Sequence, residues 1–441
     1  MVAGTAGPAW ADGPTDARLD QYADAGSNPA DFDDVLGKWV AADRLEGALV
    51  VVTPGTDDTG LAERTAGLVG ARENWIVKYP ESIWPVSSGK SGSLLPFFAP
   101  TYDQSKGVAI DANLSIMRAL AGAGGMVVYT GYSQGADALG NAAELANAEH
   151  LLDENTVILL VSDPRGPWGL KPGLEKIPFV PLVMAFIGAN NDGARDPGAT
   201  GDARVVQVII NGDPVANWQW NPLRPVSSLL VDLAGFVTIH AGTGPYSYAN
   251  LDELELKKTL YSAEGNTTYE VYDTYHPLAL VNWMIADALG IDVDEAQLRE
   301  WDRQAEIFYP LQEVTPETAD PGVKVVEQRA GRHRLVDENG DHVQAVKTAT
   351  SGAGTYVPRH AAPEVDPAPT EPAATERGAT ELGASEPESS EPVATGSEAT
   401  GSDTAEPEAA EEQSDEQQSD ETATVPADDA PDPDATGPDS A

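Results

Sequence analysis

The residues around Ser133 are those of an activated serine nucleophile. Gly131-Tyr132-Ser133-Gln134-Gly135 fits the pattern of a tight strand-to-helix turn, in which glycines two residues before and after the serine let strand and helix approach closely. Residues 126–130 read as the preceding strand and residues 136–152 as the following helix. Ser133 would then lie at a helix N-terminus, where free N–H groups favour developing negative charge. The pattern and its flanks predict a nucleophilic serine rather than an ordinary glycine-rich turn.

A serine hydroxyl is a weak nucleophile and needs a general base, normally a histidine. The chain contains six histidines: His150, His240, His276, His333, His342 and His360. When a serine sits on such a turn, the usual chain order is serine, then acid, then histidine. His276 follows a strand-like run at residues 269–272 and precedes a helix-like run, the usual position of the base, so it is the predicted base. His240, in a segment that could be a helix end, is the alternative.

The acid is expected on a loop after a strand, between the serine and the histidine. Asp213 directly follows the apolar run 205–210, and its predicted role is to hold the histidine tautomer and stabilise the imidazolium. Asp163, after the preceding strand-like run, is the alternative. The oxyanion hole requires two backbone N–H groups. Gln134, which follows the nucleophile, and Thr56, in the loop after the first strand, are predicted to supply them.

Short apolar runs rich in β-branched residues are spaced along the chain, with helix-like stretches between several of them. The runs are residues 48–53, 75–77, 126–130, 157–161, 205–210 and 269–272. A run that is apolar at every position suits a strand buried on both faces of a parallel sheet. The alternation of strand and helix predicts a mainly parallel central sheet with helices on both faces. Combined with the serine turn between a strand and a helix, this predicts an α/β-hydrolase fold.

Composition and hydrophobic pattern divide the chain into four segments. Residues 1–40 form a polar N-terminal extension, residues 45–290 the α/β domain, residues 291–355 a small addition, and residues 356–441 an acidic tail. The addition is predicted to hold a surface helix at 294–307 and a hairpin within 323–346, because Asn339-Gly340 is a strong hairpin signal. Inside the α/β domain, the proline-rich apolar stretch 166–188 is either a lid, a wall of a substrate groove, or a loop packed on the core.

Charge and composition exclude several classes of function. The formal net charge is −45. Residues 361–441 hold 23 acidic residues, one arginine and no aromatic residue, which predicts a disordered tail, and the other 360 residues still carry −23. Such a chain is expected to be repelled by nucleic acid. The absence of cysteine excludes disulfides and thiolate metal sites. Neither an 18-residue apolar stretch nor a signal peptide is visible.

Three stretches together resemble the PE-PPE domain family, actinobacterial serine hydrolases related to cutinases. The resemblance spans about residues 45–290 and is carried by Tyr79-Pro80-Glu81-Ser82-Ile83-Trp84-Pro85-Val86, Thr101-Tyr102-Asp103-Gln104-Ser105-Lys106-Gly107-Val108 and Gly131-Tyr132-Ser133-Gln134-Gly135-Ala136. The Pro-Gly-Thr loop and the serine turn are also similar to cutinase-like proteins and to lysin B, the mycobacteriophage esterase of the cell wall. The family pattern implies Ser133, Asp213 and His276 as a triad, with Gln134 and Thr56 at the oxyanion. The missing disulfides depart from cutinases, and the missing export segment departs from exported PE-PPE proteins.

The sequence therefore predicts a serine esterase that cleaves lipid or fatty-acyl esters, in the extracellular space or cell envelope of an actinobacterium. The alternatives are a lysin B-type mycolyl esterase encoded by a phage, a non-catalytic binding protein on a hydrolase scaffold, and an acyltransferase. No metal or organic cofactor is implied. The oligomeric state is not specified by the sequence.

Overall fold

A computed structural model describes residues 19–27, 35–45, 47–70 and 72–328 of the chain. The described strands belong to one nine-stranded sheet in the order β1-β3-β2-β4-β5-β6-β8-β7-β9. Their bounds are β1 Ala23–Ser27, β2 Leu49–Thr53, β3 Glu73–Val77, β4 Val127–Tyr132, β5 Thr156–Val161, β6 Arg204–Ile210, β7 Glu255–Ser262, β8 Thr267–Asp273 and β9 Val325–Val326.

The centre of the sheet is parallel and its edges are antiparallel. β3, β2, β4, β5, β6 and β8 pair in parallel. β1 joins β3 antiparallel at one edge, and β7 joins β8 antiparallel near the other, with β9 beyond it. Residues 23–27, predicted to lie in a polar N-terminal extension, are therefore part of the sheet. All six parallel strands therefore direct their carboxyl ends to one edge of the sheet, where α/β folds place their ligands.

The apolar runs form the parallel strands because both of their faces are covered. Successive side chains of a strand point to opposite faces. Val157 and Leu159 accordingly belong to one hydrophobic core, while Ile158 and Leu160 belong to another across the sheet. A strand buried on both faces cannot show polar alternation, which explains why the sequence runs are continuously apolar.

Helices cover both faces of the sheet. Their bounds are α1 Ala42–Leu45, α2 Leu61–Val69, α3 Tyr102–Leu120, α4 Gln134–Ala148, α5 Leu170–Glu175, α6 Val180–Phe186, α7 Pro225–Gly235, α8 Pro277–Ala288 and α9 Glu295–Phe308, with short 3₁₀ turns at Leu36–Lys38, Pro96–Phe98, Pro197–Thr200 and Tyr248–Asn250. α3 and α4 pack in one core, and α2, α8 and α9 contribute to the other. The prediction of an α/β-hydrolase fold with helices on both faces is confirmed.

The segment after residue 290 contributes to this same sheet. Helix α9 confirms the surface helix predicted at 294–307, and Leu298 packs in the main core. Val325 and Val326 pair with β7, so the described part of this segment extends the sheet instead of standing apart as an addition. The turn Asn339-Gly340, the predicted hairpin around it and the acidic tail lie outside the described residues.

The proline-rich stretch 166–188 forms two short helices, α5 and α6. Pro181 occupies the first turn of α6, where its missing N–H costs no hydrogen bond. No side chain of α6 is buried. Within the described residues, no helix is long and apolar enough to cross a bilayer.

Candidate active site

Ser133 lies on a strained turn between β4 and α4. Its backbone has φ 55° and ψ −118°, a region that residues with a side chain rarely occupy. A Cβ at residue 131 would lie 2.5 Å from the carbonyl oxygen of Gly135, and one at residue 135 would lie 2.2 Å from the carbonyl oxygens of Thr53 and Pro54. The two glycines are thus required sterically, as the sequence pattern predicted. The turn holds the Ser133 hydroxyl above the carboxyl end of the sheet.

The histidine that contacts Ser133 is His240. Its Nε2 lies 3.0 Å from the Ser133 Oγ. His240 is the last residue of a π-helical turn, Phe236–His240, that directly follows α7. Its imidazole is stacked between the rings of Tyr132 and Phe236, with centroid distances of 5.1 and 5.0 Å. The Tyr132 hydroxyl also donates a hydrogen bond to the His240 carbonyl, so both the ring and the backbone of this histidine are held against the serine turn.

Asp213 contacts the imidazole of His240 on the side opposite Ser133. Its Oδ1 lies 3.2 Å from Nδ1 of His240. Ser162 donates a hydrogen bond to Oδ2 at 2.5 Å, Tyr248 donates to the same oxygen at 2.7 Å, and the Val215 N–H donates to Oδ1 at 3.0 Å. Burial by itself would raise the pKa of Asp213, but His240 and the hydroxyl donors outweigh it and lower the pKa. Asp213 is therefore held as a carboxylate next to the imidazole, as predicted from its position after β6.

The prediction that His276 is the base is wrong, because its ring is committed to a structural role. His276 caps the N-terminus of α8, and its Nδ1 accepts a hydrogen bond from the Leu278 N–H at 3.1 Å. Its Nε2 donates to the Tyr309 carbonyl at 2.9 Å. Burial lowers the pKa of His276 to about 4, partly opposed by the Tyr309 carbonyl. The ring is neutral at pH 7, and His240 occupies the position at Ser133 that His276 was expected to fill.

The alternative acid, Asp163, is also structural. Its Oδ2 lies 3.0 Å from Nε of Arg195, and its Oδ1 accepts from the Arg165 N–H. Nδ1 of His240 instead faces Asp213. The choice of Asp213 over Asp163 thus agrees with the geometry.

The predicted oxyanion residues, Gln134 and Thr56, lie side by side at the serine. The Thr56 hydroxyl donates to Oε1 of Gln134 at 3.1 Å. Gln134 is the first residue of α4, where a helix leaves its N–H groups without intrahelical partners. A Cβ at residue 55 would lie 3.3 Å from that of Ser133, so the loop carrying Thr56 packs directly against the serine. This arrangement fits two N–H donors to an oxyanion, and their role remains a prediction.

A cavity of about 380 Å³ opens at Ser133 and His240. Most of its exposed lining is apolar. The apolar lining residues include Ile83, Val86, Leu170, Leu174, Met184 and Phe236. Leu170, Leu174 and Met184 come from the 166–188 stretch, which therefore forms one wall of the cavity, as the groove-wall interpretation expected.

A buried charge network fixes this wall to the rest of the domain. Lys171, on α5, lies 2.8 Å from Asp137 of α4 and 3.3 Å from Asp192, which follows α6. Lys106 on α3 lies 2.6 Å from the same Asp192. Burial would raise the pKa of Asp137, but Lys171, Lys106 and Arg195 hold it far below its ordinary range. Both ends of the wall segment are thus tied to charges beneath the cavity.

The described residues contain no group of three histidine or acidic side chains placed to hold a metal ion. At the cavity, a serine hydroxyl, an imidazole and a buried carboxylate contact one another in that order. They lie at the edge of the sheet where the parallel strands end. Together with the serine turn, this places the protein among the α/β-hydrolase-fold proteins.

Comparison with known proteins agrees with the resemblance noted from the sequence. Residues 71–289 match the PE-PPE domain family. Among solved structures, the type II thioesterase BorB from the borrelidin biosynthetic cluster is 14% identical, with a TM-score of 0.28, covering 55% of this chain and 92% of its own. An esterase from Pyrobaculum calidifontis is 11% identical, with a TM-score of 0.25, covering 59% of this chain and 77% of its own. Comparison with curated proteins gives no significant match.

Two features of the site were not expected from the sequence. One is the hydroxyl of Ser162, which lies 2.5 Å from Asp213 and 3.0 Å from Nδ1 of His240. The other is the π-helical turn that orients His240, for which the segment Phe236-Val237-Thr238-Ile239-His240 carries no recognisable signal. By contrast, the dipeptide His276-Pro277 did indicate that His276 caps a helix, because proline favours the first position of a helix and the residue before it is then the cap.

Proposed function

We propose that the protein is a serine-dependent carboxylic ester hydrolase that acts on lipid or fatty-acyl esters. The observation that carries the proposal is the hydrogen-bonded line from Ser133 through His240 to the buried Asp213. The PE-PPE domain match supports a hydrolase of this kind. Localisation in the cell envelope of an actinobacterium is part of the same proposal and rests on the family resemblance alone.

The geometry supports a two-step acyl transfer to water. The Ser133 Oγ attacks the ester carbonyl carbon while Nε2 of His240 takes the hydroxyl proton. Asp213 stabilises the imidazolium, and the N–H groups of Gln134 and Thr56 stabilise the oxyanion. The intermediate then collapses, the alcohol leaves with the proton from His240, and an acyl-enzyme remains on Ser133. Water, deprotonated by His240, attacks the acyl carbon. The bond to the Ser133 Oγ then breaks, His240 returns the proton to that oxygen, and the carboxylic acid is released.

The lining of the cavity supports an acyl chain as the group that is bound. Leu170, Leu174 and Met184 form an apolar wall next to the nucleophile, with Ile83 and Val86 also lining the cavity. Burial of methylene groups against such a wall contributes roughly 0.8 kcal/mol for each group. We therefore expect kcat/KM to increase with acyl-chain length until the cavity is filled.

The test is the hydrolysis of p-nitrophenyl esters with acyl chains from two to many carbons. Ser133→Ala and His240→Ala should each lower kcat by about a thousandfold or more, because members of a triad act as a unit. His276→Asn is the matched histidine control. Asparagine can also cap a helix, so this variant should remain folded and keep activity within a few-fold of wild type.

Two results would contradict the proposal. Equal rates for wild type and Ser133→Ala on every ester would remove Ser133 as the nucleophile and favour a binding role for the domain. A thousandfold loss in His276→Asn with little loss in His240→Ala would reassign the base to His276.

A further inference from the structure

Three segments around the cavity expose large apolar side chains to solvent. They are the 83–98 loop, residues 177–187 around α6, and residues 223–237 along α7. We call them together the apolar mouth. Its exposed members include Val86, Leu94, Leu95, Phe97, Phe98, Phe179, Leu182, Val183, Phe186, Leu223, Val226, Leu229, Leu230 and Leu233. Leu94 is 99% exposed and Phe186 is 85% exposed, so these side chains are not the partly buried edge of a hydrophobic core.

The three segments meet at the cavity that contains Ser133. Val86 from the first, Met184 from the second and Phe236 from the third all line it. The exposed residues therefore flank the opening of the cavity on several sides. Exposed apolar residues gathered around one opening mark a surface that binds something, whereas single scattered apolar residues do not.

The 83–98 loop holds its aromatic residues outward in a fixed arrangement. The rings of Trp84 and Phe97 lie 5.8 Å apart, and those of Phe97 and Phe98 are 5.6 Å apart, edge to face. The Trp84 indole N–H donates to the Phe97 carbonyl at 2.8 Å. Phe97 and Phe98 nevertheless remain 64% and 72% exposed.

The distribution of charge separates the apolar mouth from the rest of the molecule. The chain has 71 acidic residues among 441, yet the three segments contain one, Asp232, and it is buried. Their basic side chains are Lys90, paired with Glu81, and Arg224, which stacks on Phe308 and Tyr309. The three segments thus expose no carboxylate, although Asp57 and Asp58 from the loop after β2 also line the cavity.

We infer that the apolar mouth binds the surface of aggregated zwitterionic lipid, with the cavity opening facing the lipid. The inference extends the proposed function, because lipid esters would then pass from the surface directly to Ser133. A second copy of the chain or another protein seated on the same residues would cover the opening. The acidic segment 361–441, with 23 carboxylates and no aromatic residue, does not match an apolar surface. Interfacial binding depends on buried apolar area and on few charges at the contact, and the three segments of the apolar mouth meet both conditions.

The test is co-flotation with phosphatidylcholine vesicles, using the full chain with Ser133→Ala so that no ester is cleaved. This protein should float with the vesicles. Adding Leu94→Ser and Phe186→Ser should weaken the partition coefficient at least tenfold. Leu289→Ser is the matched control, since Leu289 is 70% exposed at the far end of α8, and it should change the coefficient less than twofold. Serine adds no charge, so the comparison tests apolar contact.

Soluble-ester activity separates this inference from the proposed function. With Ser133 present, Leu94→Ser/Phe186→Ser should hydrolyse p-nitrophenyl acetate at the wild-type rate, because neither side chain lines the cavity. Absence of vesicle binding, or an equal loss in the Leu289→Ser control, would overturn the inference while leaving the esterase assignment intact. A dimer in solution that Leu94→Ser/Phe186→Ser dissociates would assign the surface to a second copy and would overturn it as well.

Discussion

The carboxylate of Asp213 is fully buried and accepts more hydrogen bonds than its contact with His240 requires. Ser162 and Tyr248 both donate to its Oδ2, while Oδ1 faces Nδ1 of His240. A hydroxyl has one proton, and Ser162 directs it to Asp213 at 2.5 Å. The Ser162 Oγ, 3.0 Å from Nδ1, can therefore accept from the imidazole at the same time. Ser162 is fully buried and is not among the residues that line the cavity, so we expect it to position both members of the pair.

Replacing Ser162 by alanine should lower kcat/KM about tenfold. This is ~1.4 kcal/mol, close to the contribution of a hydrogen bond to a charged group, with Tyr248 still donating to Asp213. Losing one donor leaves more negative charge on the carboxylate that faces the imidazolium. The acidic limb of the pH–rate profile should therefore move to higher pH. Steady-state kinetics across pH on a short p-nitrophenyl ester measures both effects.

Ser262→Ala is the control for a merely structural loss. Ser262 is buried on β7 and hydrogen-bonds the backbone of Thr267. This variant should lose stability without moving the pH–rate profile. An unmoved profile in Ser162→Ala, with any loss of rate matched in Ser262→Ala, would contradict the positioning role.

At the residue scale, the sequence predicted Ser133 and Asp213 as site residues, but it did not choose His240, the histidine that lies between them in the structure. Ser133 and Asp213 are constrained locally, one by glycines at fixed spacing and the other by a strand that ends beside it. The order serine, acid, histidine fits both His240 and His276, so it could not choose between them. The choice depends on which histidine the long-range packing brings to Ser133. The sequence separation of 107 positions between Ser133 and His240 hides that contact from a local pattern.

At the scale of elements, the sequence predicted what hydrophobic patterning controls. The six buried parallel strands appear as continuous apolar runs, and each observed strand lies within a few residues of its predicted run. β7 was not predicted, because its half-exposed sequence Glu255–Ser262 has no such run. The π-helical turn after α7 was also not predicted, since one extra residue in a helical turn leaves no periodic signature.

Helix α7, which leads into that turn, carries a buried acid that should make stability depend on pH. Asp232 is 5% exposed, and its Oδ1 accepts from the Gln219 N–H at 3.0 Å. Burial raises the pKa of Asp232 from 3.8 to about 8, with Asp213 adding to the increase and the Gln219 N–H opposing it. The folded state then holds a proton that the unfolded state releases above pH 3.8. This group therefore makes the protein less stable as the pH rises from 3.8 to about 8.

Asp232→Asn should remove this dependence. An amide keeps the acceptor for Gln219 without a charge. At pH 9 the unfolding midpoint of the variant should therefore lie at least ~2 °C above that of wild type, the shift expected for a gain of about 1 kcal/mol in stability. Near pH 4 both proteins are neutral at this position, and their midpoints should nearly coincide. Thermal unfolding followed by circular dichroism at the two pH values makes the comparison. A constant difference at both pH values would show that packing, and not titration, separates them.

At the scale of the whole molecule, charge is the dominant feature. The net charge of −45 includes −23 in the 360 residues that precede the acidic segment. Self-repulsion of this size destabilises a compact state. Local pairs such as Lys171 with Asp137 cannot neutralise this charge, because the chain has only 26 lysines and arginines for 71 acids.

Salt should therefore stabilise the fold. Raising sodium chloride from about 0.1 M to about 1 M shortens the Debye length from roughly 10 Å to roughly 3 Å, which screens repulsion between surface carboxylates while affecting buried pairs much less. We expect the unfolding midpoint at pH 7 to rise by several degrees over this range. Near pH 4, where many carboxylates take up protons, the same salt should change the midpoint little, and this serves as the internal control. Equal salt effects at both pH values would mean that salt acts through the apolar surface. A fall of the midpoint at pH 7 would mean that attractive surface pairs outweigh the net repulsion, so the sign of the shift decides which of the two governs this fold.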